Sequence, residues 1–234
     1  MPTIRGVRAV CEPGPNNGAS GRSHLSEIGT AMIVALEGLP GAGKTTTAQL
    51  LATKLGYTPL TESTHNHPFL ESVYRDGERH DLEIELAFLL LHSSAWRAIR
   101  PDANTVSDFT LVKDLLFARD TLREPADLSL FESAYERLNR GSCPADIVIY
   151  LRATPELALA RVRRRYEQDT HRRFEEAMEL DRLERIETQY ETHRHELGAR
   201  VLALDLAEIL KPHESEQASK RRVAGEALRL ISAS

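Results

Sequence analysis

An α/β fold, with five parallel strands in one sheet covered by helices on both faces, is what this sequence predicts. Three observations carry that expectation. Short apolar runs alternate along the chain with longer helix-like segments, the pattern of a parallel sheet whose crossovers are helices. The stretch Gly38-Leu39-Pro40-Gly41-Ala42-Gly43-Lys44-Thr45 fits G-x-x-x-x-G-K-[ST] in full, between an apolar run and a helical segment. Asp146 to Leu151 is a β-branched run without Gly or Pro, as expected of an inner strand.

Taken in order, the elements begin at Met32. Residues 1–31 hold Gly-Pro-Asn-Asn-Gly-Ala-Ser-Gly and little apolar periodicity, so they read as a flexible extension, and the folded unit is expected over 32–234. Met32 to Leu36 is the first strand, followed by a helix from Thr45 to Leu55. Thr58 to Thr61 is a short second strand ending at Glu62. Residues 81–99 read as an apolar helix with Leu82, Leu86, Leu89, Leu90 and Trp96 on or near one face. Asn104 to Ser107 leads as a third strand into Asp108, and helices follow over Leu111 to Leu122 and Pro125 to Asn139. After the inner strand, Pro155 opens a helix, as proline does at a first helical position. An arginine cluster comes next, with a lid expected at about 161–175, then a charged helix from about Phe174 to His195. Val201 to Asp205 is the fifth strand and 215–232 a closing amphipathic helix.

Bulk composition bounds the function. At 234 residues and 41% hydrophobic, the chain is long enough for one mid-sized domain with a real core. A net charge of −5 disfavours a broad nucleic-acid-wrapping surface. Two cysteines, Cys11 and Cys143, are too few for a disulfide framework or a zinc site and fit a reducing compartment. No apolar run reaches the roughly 20 residues that span a bilayer, and the N-terminus lacks a secretory core. A cytoplasmic protein without nucleic-acid or membrane partners is expected.

The glycine-rich motif binds phosphate for physical reasons. Its glycines let backbone N–H groups converge on phosphate oxygens, and the helix N-terminus adds its positive end. Gly38, Gly41, Ala42, Gly43, Lys44, Thr45 and Thr46 are therefore expected to hold ATP, with Lys44 on the outer phosphates and the Thr45 hydroxyl on Mg²⁺. The fold this implies is a P-loop kinase-like three-layer architecture with an Arg-rich lid. A small GTPase would show an Asn-Lys-x-Asp-type segment after a late strand, and Val148 to Ala153 offers none. Acids at the ends of strands two and three, with arginines late in the chain, are what phosphoryl transfer to a small hydroxyl compound requires.

The order of residues resembles the deoxynucleoside kinases over roughly 32 to 205. Glu37 to Thr46 is similar to their opening loop, and Thr61-Glu62 with His67-Pro68-Phe69-Leu70 and Val73-Tyr74 to their second-strand acid and following helix. Ser107-Asp108-Phe109 with Lys113 to Ala118 resembles the segment after strand three, and Pro144 to Leu151, Pro155-Glu156 and Arg161 the approach to the lid.

The resemblance implies Glu62 as the base that takes the proton of a sugar 5′-hydroxyl, and Asp108 as an acid that helps to position Mg²⁺. Arg161 and Arg165 fit best as lid arginines on the phosphates, whereas Arg163 and Arg164 read as solvated. Tyr74 stands where the family holds the sugar 3′-hydroxyl, and Asp114 where an acid helps to read the base. The better-known members carry Arg directly after the strand-three acid; this chain carries Phe109, and Lys113 is the nearest replacement cation. Glu85 and His92 fall where many members have Gln and Arg; seven residues apart, they share a helix face and should contact the acceptor or each other.

The expectation is an ATP-dependent, Mg²⁺-using kinase of the 5′-hydroxyl of a (deoxy)nucleoside-like acceptor, homodimeric by resemblance. Three rivals remain: a thymidylate kinase-like monophosphate kinase, which Phe109 beside Asp108 disfavours; a kinase of a specialised metabolite; and a non-catalytic nucleotide-binding switch. Structural alternatives stand beside each role. They are a solvated loop or capping carboxylate for Glu62, an N-cap for Asp108, an exposed helix position for Lys113, Glu85 and Asp114, and a core tyrosine for Tyr74.

Overall fold

In the computed structural model the described residues are 31–63, 67, 69, 81–140, 142–168 and 178–233. The expected extension 1–31, apart from Ala31, lies outside them, as do Tyr74, Arg172, Arg173 and the end of the expected lid.

Strand β1, Ile33–Gly38, is buried at every position, which its run of small and branched apolar residues permits. It occupies the middle of a five-stranded parallel sheet of order β2-β3-β1-β4-β5, with β2 at Thr58–Leu60, β3 at Thr105–Ser107, β4 at Ile147–Arg152 and β5 at Val201–Asp205. Its register sets Val34 beside Val106 on one flank and Ala35 beside Val148 on the other. Two side chains pin its entry: Asn104 Oδ1 accepts from the Met32 N–H at 2.7 Å and Asp146 Oδ2 from the Ile33 N–H at 2.7 Å. The expected parallel sheet is borne out, and all five strands fall where the apolar runs place them.

Helix α1, Lys44–Leu55, ends at Gly56, whose φ of 69° accommodates the left-handed turn and whose N–H reaches Ala52 O. It packs on β1, β2, β3 and on α8, Glu216–Ser232, which Ser215 caps through the Ala218 N–H. Away from α1 and α8, helices α2, Asp81–Arg97, α3, Leu111–Thr121, and α4, Pro125–Asn139, pack on one another, and α6, Leu180–Thr192, packs on α3 and on α5, Pro155–Gln168. A short α7, Leu206–Ile209, precedes α8. The core joins Leu36, Leu51, Leu89, Leu116, Ile149 and Ile186, all at 0% exposure, and each such side chain contributes roughly 1.5–3 kcal/mol by leaving water.

Three expectations need correction. Leu90 is 57% exposed and does not share the buried face of α2 with Leu89 and Trp96. The charged helix, α6, runs Leu180–Thr192 after an extended Glu179 and gives way to a 3-10 turn at Arg194–Glu196, so it stops short of His195, while its expected start near Phe174 lies outside the described residues. Cys143 is disulfide-bonded, which does not fit the reducing compartment suggested by so low a cysteine count. No helix among the described residues is long and apolar enough to cross a membrane.

Candidate active site

The phosphate loop leaves the carboxyl end of β1 and enters α1, as the motif requires. Gly38 has φ 138° and a Cβ there would lie 2.4 Å from Leu151 O; Gly41 has φ 85° and a Cβ would lie 2.4 Å from Ala158 O. Both positions therefore demand glycine on backbone conformation and on space. Helix α1 starts at Gly43 with no side-chain cap and no acid in its first turn, so its N–H groups and positive dipole end stay available to an anion. The Lys44 ammonium lies back over the loop, donating to Gly38 O at 2.7 Å and Leu39 O at 3.0 Å. Burial, then the neighbouring Lys113, pulls its pKa down to about 8.

Beside this loop is a cavity of about 260 Å³ that the lid-side helix and the last helix close. Gly41, Ala42, Gly43 and Thr46 line one wall, Arg161, Arg164 and Arg165 of α5 a second, and Glu216, Ser219 and Lys220 of α8 a third. Arg161 Nη1 donates to Ala42 O at 3.3 Å. Arg164 is exposed, as expected, and pairs at the surface with Glu216, which also takes Lys220. The α8 contribution was not foreseen: nothing in a charged amphipathic helix so far from the loop marks it as a wall of the same cavity.

The second half of the site lies at the ends of β2 and β3. Asp108 is 2% exposed and its Oδ1 accepts from the Glu62 N–H at 2.7 Å, so one strand-end acid holds the other. Asp108 is not the cap of α3; Thr110 is, with Oγ1 accepting from the Val112 N–H. The Glu62 carboxylate takes Lys113 Nζ on Oε1 at 2.5 Å and faces His92 Nε2 at 3.4 Å. His92 Nδ1 lies 2.7 and 2.9 Å from the two oxygens of Asp114. Lys113 and Asp114 are 7% and 1% exposed, which removes the exposed-helix alternative for both. Phe109 is wholly buried, with its ring centroid 4.5 Å from that of His92 and 5.8 Å from Trp96. The residue that replaces the expected arginine is thus a packing element, and the cation arrives one helical turn later.

The electrostatics follow from this crowding. Burial pushes the Glu62 carboxyl up, but Lys113 and His92 together outweigh it and hold the group well below the usual range. Burial alone would neutralise His92, yet Asp114 leads the opposing attractions and its pKa stands at about 9. Lys113 is raised, because Glu62 and Asp114 overcome its burial.

Glu85 and His92 do not meet. Each pairs across to α3, His92 with Asp114 and Glu85 with the Thr121 hydroxyl, so α2 and α3 run antiparallel and the shared face becomes two separate contacts. Burial, with Asp114 nearby, raises Glu85 to about 7. His67 packs its ring 4.1 Å from Phe88 and bonds Ile84 O, a packing role as expected of the histidines.

A residue without an assigned role also emerges. Glu37, in the middle of the site and 0% exposed, accepts from the Thr110 N–H at 2.6 Å on Oε1 and from the Tyr190 hydroxyl at 2.8 Å on Oε2. The signal was an acid inside an otherwise apolar strand; its partners, remote in sequence, were invisible.

Comparison with known proteins gives consistent results. The deoxynucleoside kinase family model matches residues 34–227. A deoxyguanosine kinase of Bacillus subtilis is 28% identical over 169 residues, covering 70% of this chain and 79% of that protein. A deoxyadenosine kinase of Dictyostelium discoideum is 24% identical over 194 residues, covering 80% and 77%. A solved deoxyadenosine kinase from M. mycoides, with dCMP and a flexible dCDP bound, superposes with a TM-score of 0.68 at 24% identity, over 87% of this chain and 100% of that one.

Proposed function

The chain belongs to the deoxynucleoside kinase family, and from that premise we propose that it transfers the γ-phosphoryl group of ATP to the 5′-hydroxyl of a deoxynucleoside, a purine one by first choice. The observation that carries this reading is the Glu62 carboxylate, fixed by Lys113 at 2.5 Å and tied through its own N–H to Asp108, beside the phosphate loop.

The chemistry follows from the groups present. The loop N–H groups and Lys44 hold the β- and γ-phosphates, and Arg161 and Arg165 close over them from α5, neutralising charge that spreads on the transferring group. Glu62 orients the acceptor hydroxyl. As its oxygen bonds to the γ-phosphorus, the bond from that phosphorus to the ADP oxygen breaks and the hydroxyl proton passes to Glu62. A carboxyl held well below its usual range is a weak base, which suits a loose transition state in which the proton leaves late. Lys113 supplies the cation that Phe109 does not.

Thr45 and Asp108 offer hard oxygen donors of the kind that Mg²⁺ takes. Asp108 Oδ1 serves the Glu62 N–H, which leaves Oδ2 for the ion or its water. Among the described residues no group of three His, Cys, Asp or Glu side chains could hold a metal alone, so the nucleotide phosphates would complete the shell. When bound, the ion would offset the charge of the phosphates.

For the acceptor, Glu85 is assigned to the base edge and Tyr74 to the sugar. The purine preference draws on the relatives, named for deoxyguanosine and deoxyadenosine. A homodimer completes the reading; Leu90 on α2 and Leu130 on α4, 57% and 55% exposed on neighbouring helices, are its apolar contacts, and sedimentation of the full chain as a monomer would oppose it.

The decisive experiment incubates the full chain with ATP and Mg²⁺ against deoxynucleosides, nucleosides, nucleoside monophosphates and small alcohols, with products identified by mass. Deoxynucleoside 5′-monophosphates are expected. ADP formed without a phosphorylated acceptor would instead identify a nucleotide switch.

A further inference from the structure

We propose that His92 is a positioning residue for the catalytic carboxylate: braced by Asp114 on one side, it fixes Glu62 on the other, so that Oε1 is committed to cations and Oε2 is presented to the acceptor hydroxyl. The inference rests on Glu62 being the base, as proposed above, and moves His92 away from reading the nucleobase.

The argument is one of ring occupancy. An imidazole has two nitrogens and no other polar atom. Nδ1 lies 2.7 Å from Asp114 Oδ1 and Nε2 lies 3.4 Å from Glu62 Oε1, so both nitrogens face carboxylates. Neither is left for the edge of a base. Donating on both sides requires both N–H groups, and therefore the imidazolium. The ring cannot turn away, because Phe109 packs its centroid 4.5 Å from it on one side and Phe88 stands at 5.6 Å. His92 is 3% exposed and Asp114 1%.

Charge balance supports the same state. The groups that bear on His92 are Glu62 from the segment after β2, Asp114 and Lys113 from α3, and His67. Lys113 and an imidazolium at His92 give each of the Glu62 and Asp114 carboxylates a positive partner, as buried charges require. A neutral His92 would leave Asp114 without a countercharge at hydrogen-bond distance. Lys113 at 2.5 Å provides the largest single attraction on Glu62, and His92 at the longer distance adds to it and provides direction.

The test uses His92→Gln, Asp114→Asn and the pair of them in the full chain, with ATP, Mg²⁺ and the best deoxynucleoside of the acceptor panel. Expected is a kcat loss of roughly ten- to a hundredfold, the scale of a misplaced reacting group, with the acceptor KM within about threefold and the acceptor ranking unchanged. The double variant should be no slower than the worse single one, because the two residues act as a unit. His92→Arg should recover part of the loss. Independently of activity or of whether the variants fold, ¹⁵N NMR of histidine-labelled wild type should show both His92 nitrogens protonated at pH 7.5. Intact kcat with a raised KM or a reordered ranking would overturn the inference in favour of base reading; so would multiplicative losses or a neutral ring. A wild type that phosphorylates no deoxynucleoside would instead overturn the function on which it rests, a result that the panel alone reveals.

Discussion

Replacing Glu85 by glutamine should stabilise the protein, and more so as pH rises. Glu85 is 5% exposed and its pKa stands at about 7, raised from 4.5 chiefly by burial. A carboxyl with a raised folded pKa favours the folded state while it is protonated. That contribution is full below about 4.5 and is lost progressively as pH climbs through 7. The interval corresponds to roughly 3 kcal/mol at alkaline pH, and less than about 1 kcal/mol at pH 5. Glutamine keeps the shape and can still accept from the Thr121 hydroxyl, but never ionises. Glu85→Gln should therefore leave Tm nearly unchanged at pH 5 and raise it by several degrees at pH 8.5, at about 2–4 °C per kcal/mol for a chain of this size. Differential scanning calorimetry at both pH values is the assay. The same variant should move the acceptor ranking toward adenine- or cytosine-like bases, since glutamine offers one donor and one acceptor where carboxylate offers acceptors only. Equal Tm differences at the two pH values would refute the argument from burial, and an unchanged ranking would place Glu85 outside the acceptor pocket.

Other outcomes follow from the same geometry. Glu62→Gln keeps the carboxylate shape without its basicity and should lower kcat by about 10²–10⁴-fold while ATP binding survives; a collapse of ATP affinity with turnover retained would mean a structural Glu62. Lys44→Ala should cost orders of magnitude in kcat, because positioning and electrostatics supply nearly all of this catalysis, and turnover within about threefold of wild type would contradict the phosphate-loop assignment. Tyr190→Phe removes the 2.8 Å bond to the buried Glu37 carboxylate and should destabilise the fold by about 1–3 kcal/mol in urea. An unchanged midpoint would mean that Glu37 does not depend on that hydroxyl.

Strands and phosphate loop were legible in the sequence because each is written in a contiguous segment. Ile33–Gly38 and Ile147–Arg152 announce themselves by continuous burial-compatible runs, and the glycines of the loop by spacing alone. The wiring of the site was not legible, because its pairs cross between elements. Spacing put Glu85 and His92 on one helix face, which is correct, but the antiparallel docking of α2 on α3 decides that they meet Thr121 and Asp114 rather than each other. Lys113 illustrates the same limit. Its charge was visible, whereas its burial at 7% exposure against Glu62 depends on a contact across 51 residues. The end of α6 was missed for a local reason, since the charged run past Thr192 carries no glycine or proline to mark where the helix gives way to the 3-10 turn.

The position of β1 in the middle of the sheet divides the molecule into two workshops that share one bench. Glu62, Glu85, His92, Asp108, Lys113 and Asp114 all precede β4 in the chain, whereas the arginines of α5 and the Glu216–Lys220 wall all follow it. Many ties cross the seam: β1 pairs with β4, Tyr190 bonds Glu37, Arg182 and Arg185 reach Asp120, Arg119 reaches Glu196, and Arg161 donates to Ala42 O. Acceptor choice can then drift in evolution, or be redesigned, by exchanging the stretch from β2 to α4 while the phosphate loop before it and the α5 and α8 walls after it are kept. Such a hybrid, spliced after α1 and after α4, would have to preserve the β1–β3 pairing and the ties that Thr110, Arg119 and Asp120 make to Glu37, Glu196 and Arg185.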